Sequence, residues 1–145
     1  MKTILATALA FFLSIPAFAY PEHNGNLSFA GGKFLAYLSW DQEPNDYGGE
    51  PIMRIEWRNG ATHEVVDTGL PFEVSLWMPS MGHGSAPTQI QPAVNDRGQA
   101  ITGTYQIKNM HFLMPGDWDI RVTLKYQDDT LETQAWSIST GDEGH

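Results

Sequence analysis

The segment from Trp118 to Tyr126 alternates strictly between apolar and polar side chains, and it constrains the fold more than any other feature of the chain. Every second residue is apolar, and the residues between them are Asp119, Arg121, Thr123 and Lys125. Successive side chains of a β-strand point to opposite faces of the sheet. The alternation therefore predicts a strand with one buried and one solvated face, which is typical of antiparallel sheets.

Shorter runs of the same kind recur along the chain, separated by Gly, Pro, Asn and Asp. Two are 53–57, which is followed by the turn dipeptide Asn59-Gly60, and 72–76. The other candidate strands are Phe34–Trp40, His63–Val66, Thr88–Val94, Thr102–Lys108 and Leu131–Ser139. The pattern predicts an all-β fold, an immunoglobulin-like antiparallel β-sandwich of about seven or eight strands. Turn-rich composition predicts loops at Asp41–Gly49 and Met78–Pro87 and a frayed tail at Gly141–His145.

The first 19 residues have the three parts of a secretory signal peptide. Lys2 is followed by an apolar run from Ile4 to Ile15 and by the small-residue exit Ala17-Phe18-Ala19. The apolar run is shorter than the roughly 20 residues of a membrane helix. We therefore predict a signal peptide at residues 1–19, one domain at residues 20–145, and a periplasmic or secreted protein with no membrane attachment after cleavage.

Charge and cysteine content exclude several classes of function. Residues 1–19 contain one basic and no acidic residue, so residues 20–145 keep seven basic and 17 acidic residues, a formal charge of −10. Such a balance argues against nucleic acid or an anionic membrane as a partner. The chain has no cysteine, so it has neither disulfides nor thiolate ligands.

Two segments carry residues that bind soft metals. The first contains Met78, Met81 and His83 within six residues, and the second contains Met110, His111 and Met114. Thioether and imidazole ligands together favour copper, above all Cu(I). The preferred ligand set is Met81, His83 and Met114, with Met78 or Met110 as a fourth ligand. The alternative for Met78 and Met110 is core packing, because Met fills irregular gaps beside aromatic rings.

The region from Leu76 to Leu124 resembles the FixH/YtkA-like group of exported bacterial domains. The matching segments are LWMPSMGHGSAP at 76–87, GTY at 103–105 and FLMPGDWDIRVTL at 112–124. The resemblance implies an immunoglobulin-like sandwich and an association with copper handling or with assembly of copper-containing oxidases. Carried over by position, it implies Met78, Met81, His83 and Met114 as ligands. FixH proteins of the oxidase-assembly type keep a membrane helix, whereas this apolar segment ends in a cleavage site, which favours a soluble protein.

These observations give two hypotheses from different classes. The first is a periplasmic copper-binding protein that buffers or transfers Cu(I), in copper tolerance or delivery, to another copper protein of the cell envelope. The second is an interaction module that uses the 78–87 loop, with its adaptable Met side chains, as a contact surface without metal. Neither of these is an enzyme. A third hypothesis, a redox or catalytic copper enzyme, is disfavoured because the chain lacks the thiolate of blue-copper centres and has few His residues. A hydrolase is disfavoured because G-x-S-x-G is absent.

Overall fold

A computed structural model describes residues 24–44 and 50–141, and these residues form nine strands and one short 3-10 turn. The strands are β1 (Gly25–Phe29), β2 (Phe34–Gln42), β3 (Ile52–Asn59), β4 (Phe72–Met78), β5 (His83–Gly84), β6 (Gln89–Val94), β7 (Ala100–Lys108), β8 (Gly116–Lys125) and β9 (Leu131–Thr140). The turn, Ala30–Gly32, connects β1 to β2.

The strands form two antiparallel sheets. The five-stranded sheet has the order β1-β2-β3-β7-β6, and the four-stranded sheet has the order β5-β4-β8-β9. Gly25 of β1 lies against the Trp136 indole of β9, and the Ala30 N–H donates to Glu132 Oε1 at 2.9 Å. These contacts join the two sheets along one side, and the predicted all-β sandwich is confirmed.

Strand β8 has the buried face that its sequence predicts. Trp118, Ile120, Val122 and Leu124 are each 0% exposed, whereas the residues between them are not buried. The strand pairs with β4 on one side and with β9 on the other. A central strand buries apolar groups against the opposite sheet, and burying one such side chain contributes about 1.5–3 kcal/mol.

The core between the sheets is rich in aromatic rings. Trp57 packs with Phe29 and Phe72, with centroid separations of 5.3 Å for both pairs. Phe112 and Trp118 pack edge to face at 5.7 Å. Tilted and edge-to-face arrangements suit the ring quadrupoles, so each pair adds about 0.5–1.5 kcal/mol beyond its buried area.

Three expectations about local structure were wrong. His63–Val66 is not a strand, because His63 has a φ of 62° and only Val65 forms a bridge, to Arg58. The predicted 41–49 loop begins later, since Asp41 belongs to β2. The 78–87 segment contains the two-residue strand β5 as well as the loop. The other predicted strands are present, with ends that differ by at most two residues, and β1 was not predicted.

Some predictions lie outside the described residues. The signal peptide at 1–19, most of the 41–49 loop and all but the first residue of the 141–145 tail are among them. Within the described part of the chain, no helix has the length and apolar character needed to cross a membrane.

Candidate metal site

Met78 and His83 are cross-strand neighbours at one end of the four-stranded sheet. Strand β4 ends at Met78, and the N–H groups of Met81 and Gly82 donate to the Met78 carbonyl at 3.2 and 2.9 Å. Gly82 has a φ of 64°, which glycine adopts without strain. The turn returns the chain into β5, where His83 pairs with Met78. Directly paired residues point to the same face, so the thioether and the imidazole share one face of the sheet.

The His83 ring is oriented by two contacts. It lies edge-on to the buried Trp118 indole, with 6.3 Å between the centroids. Its Nδ1 is 3.2 Å from the Gly84 carbonyl oxygen. A carbonyl oxygen can only accept a hydrogen bond, so Nδ1 carries the proton and Nε2 keeps the lone pair. Nε2 is therefore the nitrogen of His83 that can bind a metal.

The second segment, residues 110–116, lies against the first. The Trp118 Nε1–H donates to the Met114 carbonyl at 3.0 Å, and the Ser85 hydroxyl donates to the His111 carbonyl at 2.6 Å. A Cβ added to Gly116 would lie 2.7 Å from Met78 Cε, so the Met78 side chain reaches the start of β8. The two segments that the sequence singled out are thus in contact at the same end of the sandwich.

The four methionines of these segments divide by exposure. Met78 and Met110 are only 3% and 2% exposed and belong to the hydrophobic core. Met81 and Met114 are 56% and 36% exposed. The exposed pair can receive an ion from solvent directly, whereas a metal that used the buried pair would have to displace core contacts.

His111 is held apart from Met110. Its Nε2 is 2.7 Å from Asn109 Oδ1, and Asn109 Nδ2 donates to the Pro87 carbonyl at 2.8 Å. Met110 points into the core, while His111 is partly exposed. The side chains of Met110 and His111 therefore lie in different surroundings.

Three residues with positioning roles were missed at the sequence level: Ser85, Asn109 and Trp118. Trp118 was recognised only as a strand residue and a neighbour for Met. Asn109 has a φ of 60°, a conformation that Asn tolerates better than most residues do. An Asn directly before Met110-His111 was therefore a signal in the sequence that the backbone turns at this point. Nothing in the sequence indicated the Ser85 hydrogen bond.

The carboxylates of β8 nearest this end have partners of their own. Asp117 and Asp119 accept hydrogen bonds from Ser139 and Ser137 on the exposed face of β8 and β9. Across residues 24–44 and 50–141, no group of three His, Cys, Asp or Glu side chains could hold a metal ion.

No family model matches the chain, and no curated protein or solved structure matches it either. The resemblance to the FixH/YtkA-like group therefore stays a prediction based on the quoted motifs.

Proposed function

We propose that this protein binds copper as Cu(I) through thioether and imidazole groups, and that it buffers the ion or passes it to another protein. The observation that carries the proposal is the pairing of Met78 with His83 beside the 110–116 segment. The Ser85 hydroxyl, which donates to the His111 carbonyl, links the two segments that carry thioether and imidazole groups at this end of the sandwich.

The available donors suit a soft monovalent ion. Met81 and Met114 offer exposed sulfur, and His83 offers Nε2. These ligands carry no charge, and soft sulfur favours Cu(I) over hard, oxygen-preferring cations such as Ca²⁺ and Mg²⁺. Met78 is the fourth ligand most compatible with the β4–β5 pairing. Bound copper would supply a transferable soft ion, and the protein residues would supply only ligation and accessibility.

Accessibility favours exchange over permanent storage. Met81 lies at the exposed tip of the turn between β4 and β5, so a partner could reach it without unfolding the domain. Weak, neutral thioether ligands release an ion more readily than thiolates do. The proposal therefore includes transfer between envelope proteins, and it involves no catalysis.

The test is a titration of the purified protein with Cu(I) under a competing chelator. The Met81→Ala, His83→Ala double variant is expected to lose at least about tenfold in affinity. The His63→Ala variant is a matched control, because His63 is an exposed imidazole on a different turn. Unchanged affinity in the double variant would remove the proposed site.

A second function is favoured by one observation, the exposure of large apolar groups beside the same turn. Met81 is 56% exposed and Leu113 is 61% exposed. An interaction module would use these side chains as an adaptable contact surface without a metal.

Thermal unfolding with and without Cu(I) separates the two functions. A ligand that binds only the folded state stabilises it by RT ln(1 + [L]/Kd), about 2.7 kcal/mol at one hundred times Kd. The copper-binding function requires a higher Tm in the presence of Cu(I). An unchanged Tm at saturating Cu(I) would favour the interaction module.

A further inference from the structure

The side-chain amide of Asn109 has only one orientation that satisfies both of its neighbours. One of its two terminal atoms is 2.8 Å from the Pro87 carbonyl oxygen. An amide oxygen at that position would face another acceptor at close range, so the atom must be Nδ2, which donates. The Pro87 carbonyl therefore directs Asn109 Oδ1 toward His111, at 2.7 Å from Nε2.

This orientation determines the tautomer of His111. Oδ1 can only accept, so Nε2 must carry a proton and donate it. In the neutral ring, Nδ1 is then the nitrogen that keeps a lone pair. His83 has the opposite arrangement, because its Nδ1–H donates to the Gly84 carbonyl and its Nε2 keeps the lone pair.

We propose that Asn109 is a positioning residue that fixes the ring of His111 with Nδ1 as its metal-binding atom. A metal-binding histidine usually donates a hydrogen bond from its non-ligating ring nitrogen to a fixed acceptor, which orients the ring. The assignment of Nδ1 as a ligand rests on the proposed copper function, whereas the tautomer rests on the hydrogen bonds alone.

The backbone and a second hydrogen bond keep this arrangement in place. Asn109 has a φ of 60°, and its amide bonds Pro87, at the end of the 78–87 segment. The Ser85 hydroxyl donates to the His111 carbonyl at 2.6 Å. Asn109 therefore orients the His111 ring, and both Asn109 and Ser85 link this part of the chain to the 78–87 segment.

The first experiment measures ring tautomers in ¹⁵N-labelled, metal-free protein by long-range ¹H–¹⁵N correlation. The spectra are recorded at about pH 8.5, because the comparison is between tautomers of the neutral imidazole, whose ordinary pKa is about 6.5. We expect a larger Nε2–H share at His111 than at exposed His63, and an Nδ1–H ring at His83. A His111 tautomer ratio equal to that of His63 would overturn the assignment.

Two variants of Asn109 sharpen the comparison. Asn109→Gly suits the positive φ but removes the amide, so the His111 ratio should fall to that of His63. Asn109→Asp keeps an acceptor for Nε2–H but loses the donor to the Pro87 carbonyl, so its Nε2–H share should lie above that of Asn109→Gly and no higher than that of the wild type. An unchanged ratio in Asn109→Gly would show that the amide does not position the ring. Native-like backbone resonances in each variant confirm that it folds.

Addition of Cu(I) to the same samples tests the ligand atom. We expect the Nδ1 resonance of His111 to shift more than its Nε2 resonance, and the reverse at His83. If His83 responds and His111 does not, the ligand role of His111 is wrong while copper binding stands. If neither ring responds, the copper function fails, and the metal-free tautomer measurement still decides the role of Asn109.

Discussion

The indole Nε1–H of Trp118 donates a hydrogen bond to the backbone carbonyl of Met114 at 3.0 Å. Trp118 is fully buried, and its ring also lies against His83. One side chain of β8 thus contacts a residue from each of the two segments with candidate ligands. The core and the candidate site are therefore coupled through this residue.

Replacing Trp118 with Phe should weaken both stability and copper binding. The change removes the donor to Met114 and reduces a buried ring, so we expect a loss of about 1–3 kcal/mol in unfolding free energy. Copper affinity should fall by about tenfold, because the Met114 carbonyl loses the hydrogen bond that holds the 114–116 segment in place. Urea unfolding and chelator competition measure the two effects.

The matched control is Trp136→Phe, which alters another largely buried indole that packs against Gly25 and Trp40. It should lower stability without changing copper affinity. Equal losses of affinity in the two variants would show that the effect is a general consequence of destabilisation.

Gly116→Ala should destabilise the fold at the point where Met78 meets β8. Gly116 has a φ of 139°, and an added Cβ would lie 2.7 Å from Met78 Cε. We expect a loss of about 1–3 kcal/mol from backbone strain and this clash. Gly98→Ala is the control for strain, because Gly98 also has a positive φ, 74°, with no atom within 4 Å of the added Cβ.

A double-mutant cycle isolates the contact itself. In a Met78→Ala background the clash disappears, so the cost of Gly116→Ala should fall toward that of Gly98→Ala. Urea unfolding of the four proteins in the cycle gives the coupling energy. If the two substitutions changed the unfolding free energy additively, the Met78 side chain would not be close enough to residue 116 in solution to clash with an added Cβ.

Met78→Leu separates the ligand role of Met78 from its packing role. The two side chains have similar volume, so the exchange should cost less than about 1.5 kcal/mol of stability. If Met78 is the fourth ligand, Cu(I) affinity should fall by about tenfold, whereas Met110→Leu should leave it unchanged. Chelator competition checks both variants. The opposite pattern would exchange the assignments of Met78 and Met110.

Glu132 should make the fold sensitive to acid. Hydrogen bonds from the Tyr126 hydroxyl, the Ala30 N–H and the Gln134 amide hold the pKa of Glu132 below its ordinary value of 4.5. A lowered pKa contributes stability that is fully present above pH 4.5 and is lost as the pH falls through the folded-state pKa. Urea unfolding in steps below pH 4.5 should therefore show a weaker pH dependence in Glu132→Gln. If the unfolding free energy of Glu132→Gln varied with pH as steeply as that of the unaltered protein, the acid sensitivity would not come from Glu132.

Tyr126, the hydrogen-bond partner of Glu132, should make the stability of the fold sensitive to alkali. Burial and the hydrogen bond to Glu132 raise the pKa of Tyr126 from 10.0 to about 12. A raised pKa contributes stability that is present below pH 10.0 and is lost as the pH rises toward about 12. Tyr126→Phe should remove this alkaline loss, which urea unfolding across that range would detect. A profile identical to that of the unaltered protein would contradict the account.

Periodicity predicted most of the strands because burial on one face leaves a direct trace in the sequence. Strand β8 is the clearest case, with its buried residues at 118, 120, 122 and 124. Strand β5 was missed because two residues cannot display a period. The strand prediction for His63–Val66 failed because His63 has a positive φ, which composition does not encode, and the segment keeps only one bridge, from Val65 to Arg58 of β3.

The candidate site was only partly predictable. Residue types identified the thioethers and imidazoles, but their exposure depends on tertiary packing. Met78 and Met81 are three positions apart, yet one is in the core and the other is in solvent. The hydrogen bond from Asn109 to Pro87 joins residues 22 positions apart, and the bond from Trp118 to Met114, which lies four positions earlier, depends on how the chain turns into β8. A single sequence reveals neither contact.

X-ray absorption at the copper edge tests the central claim most directly, because it counts the atom types bound to the metal. With one equivalent of Cu(I), the account predicts both sulfur and nitrogen scatterers, with fewer sulfur scatterers in Met81→Ala and fewer nitrogen scatterers in His83→Ala. Coordination by nitrogen and oxygen alone, or a spectrum that neither variant changes, would contradict it.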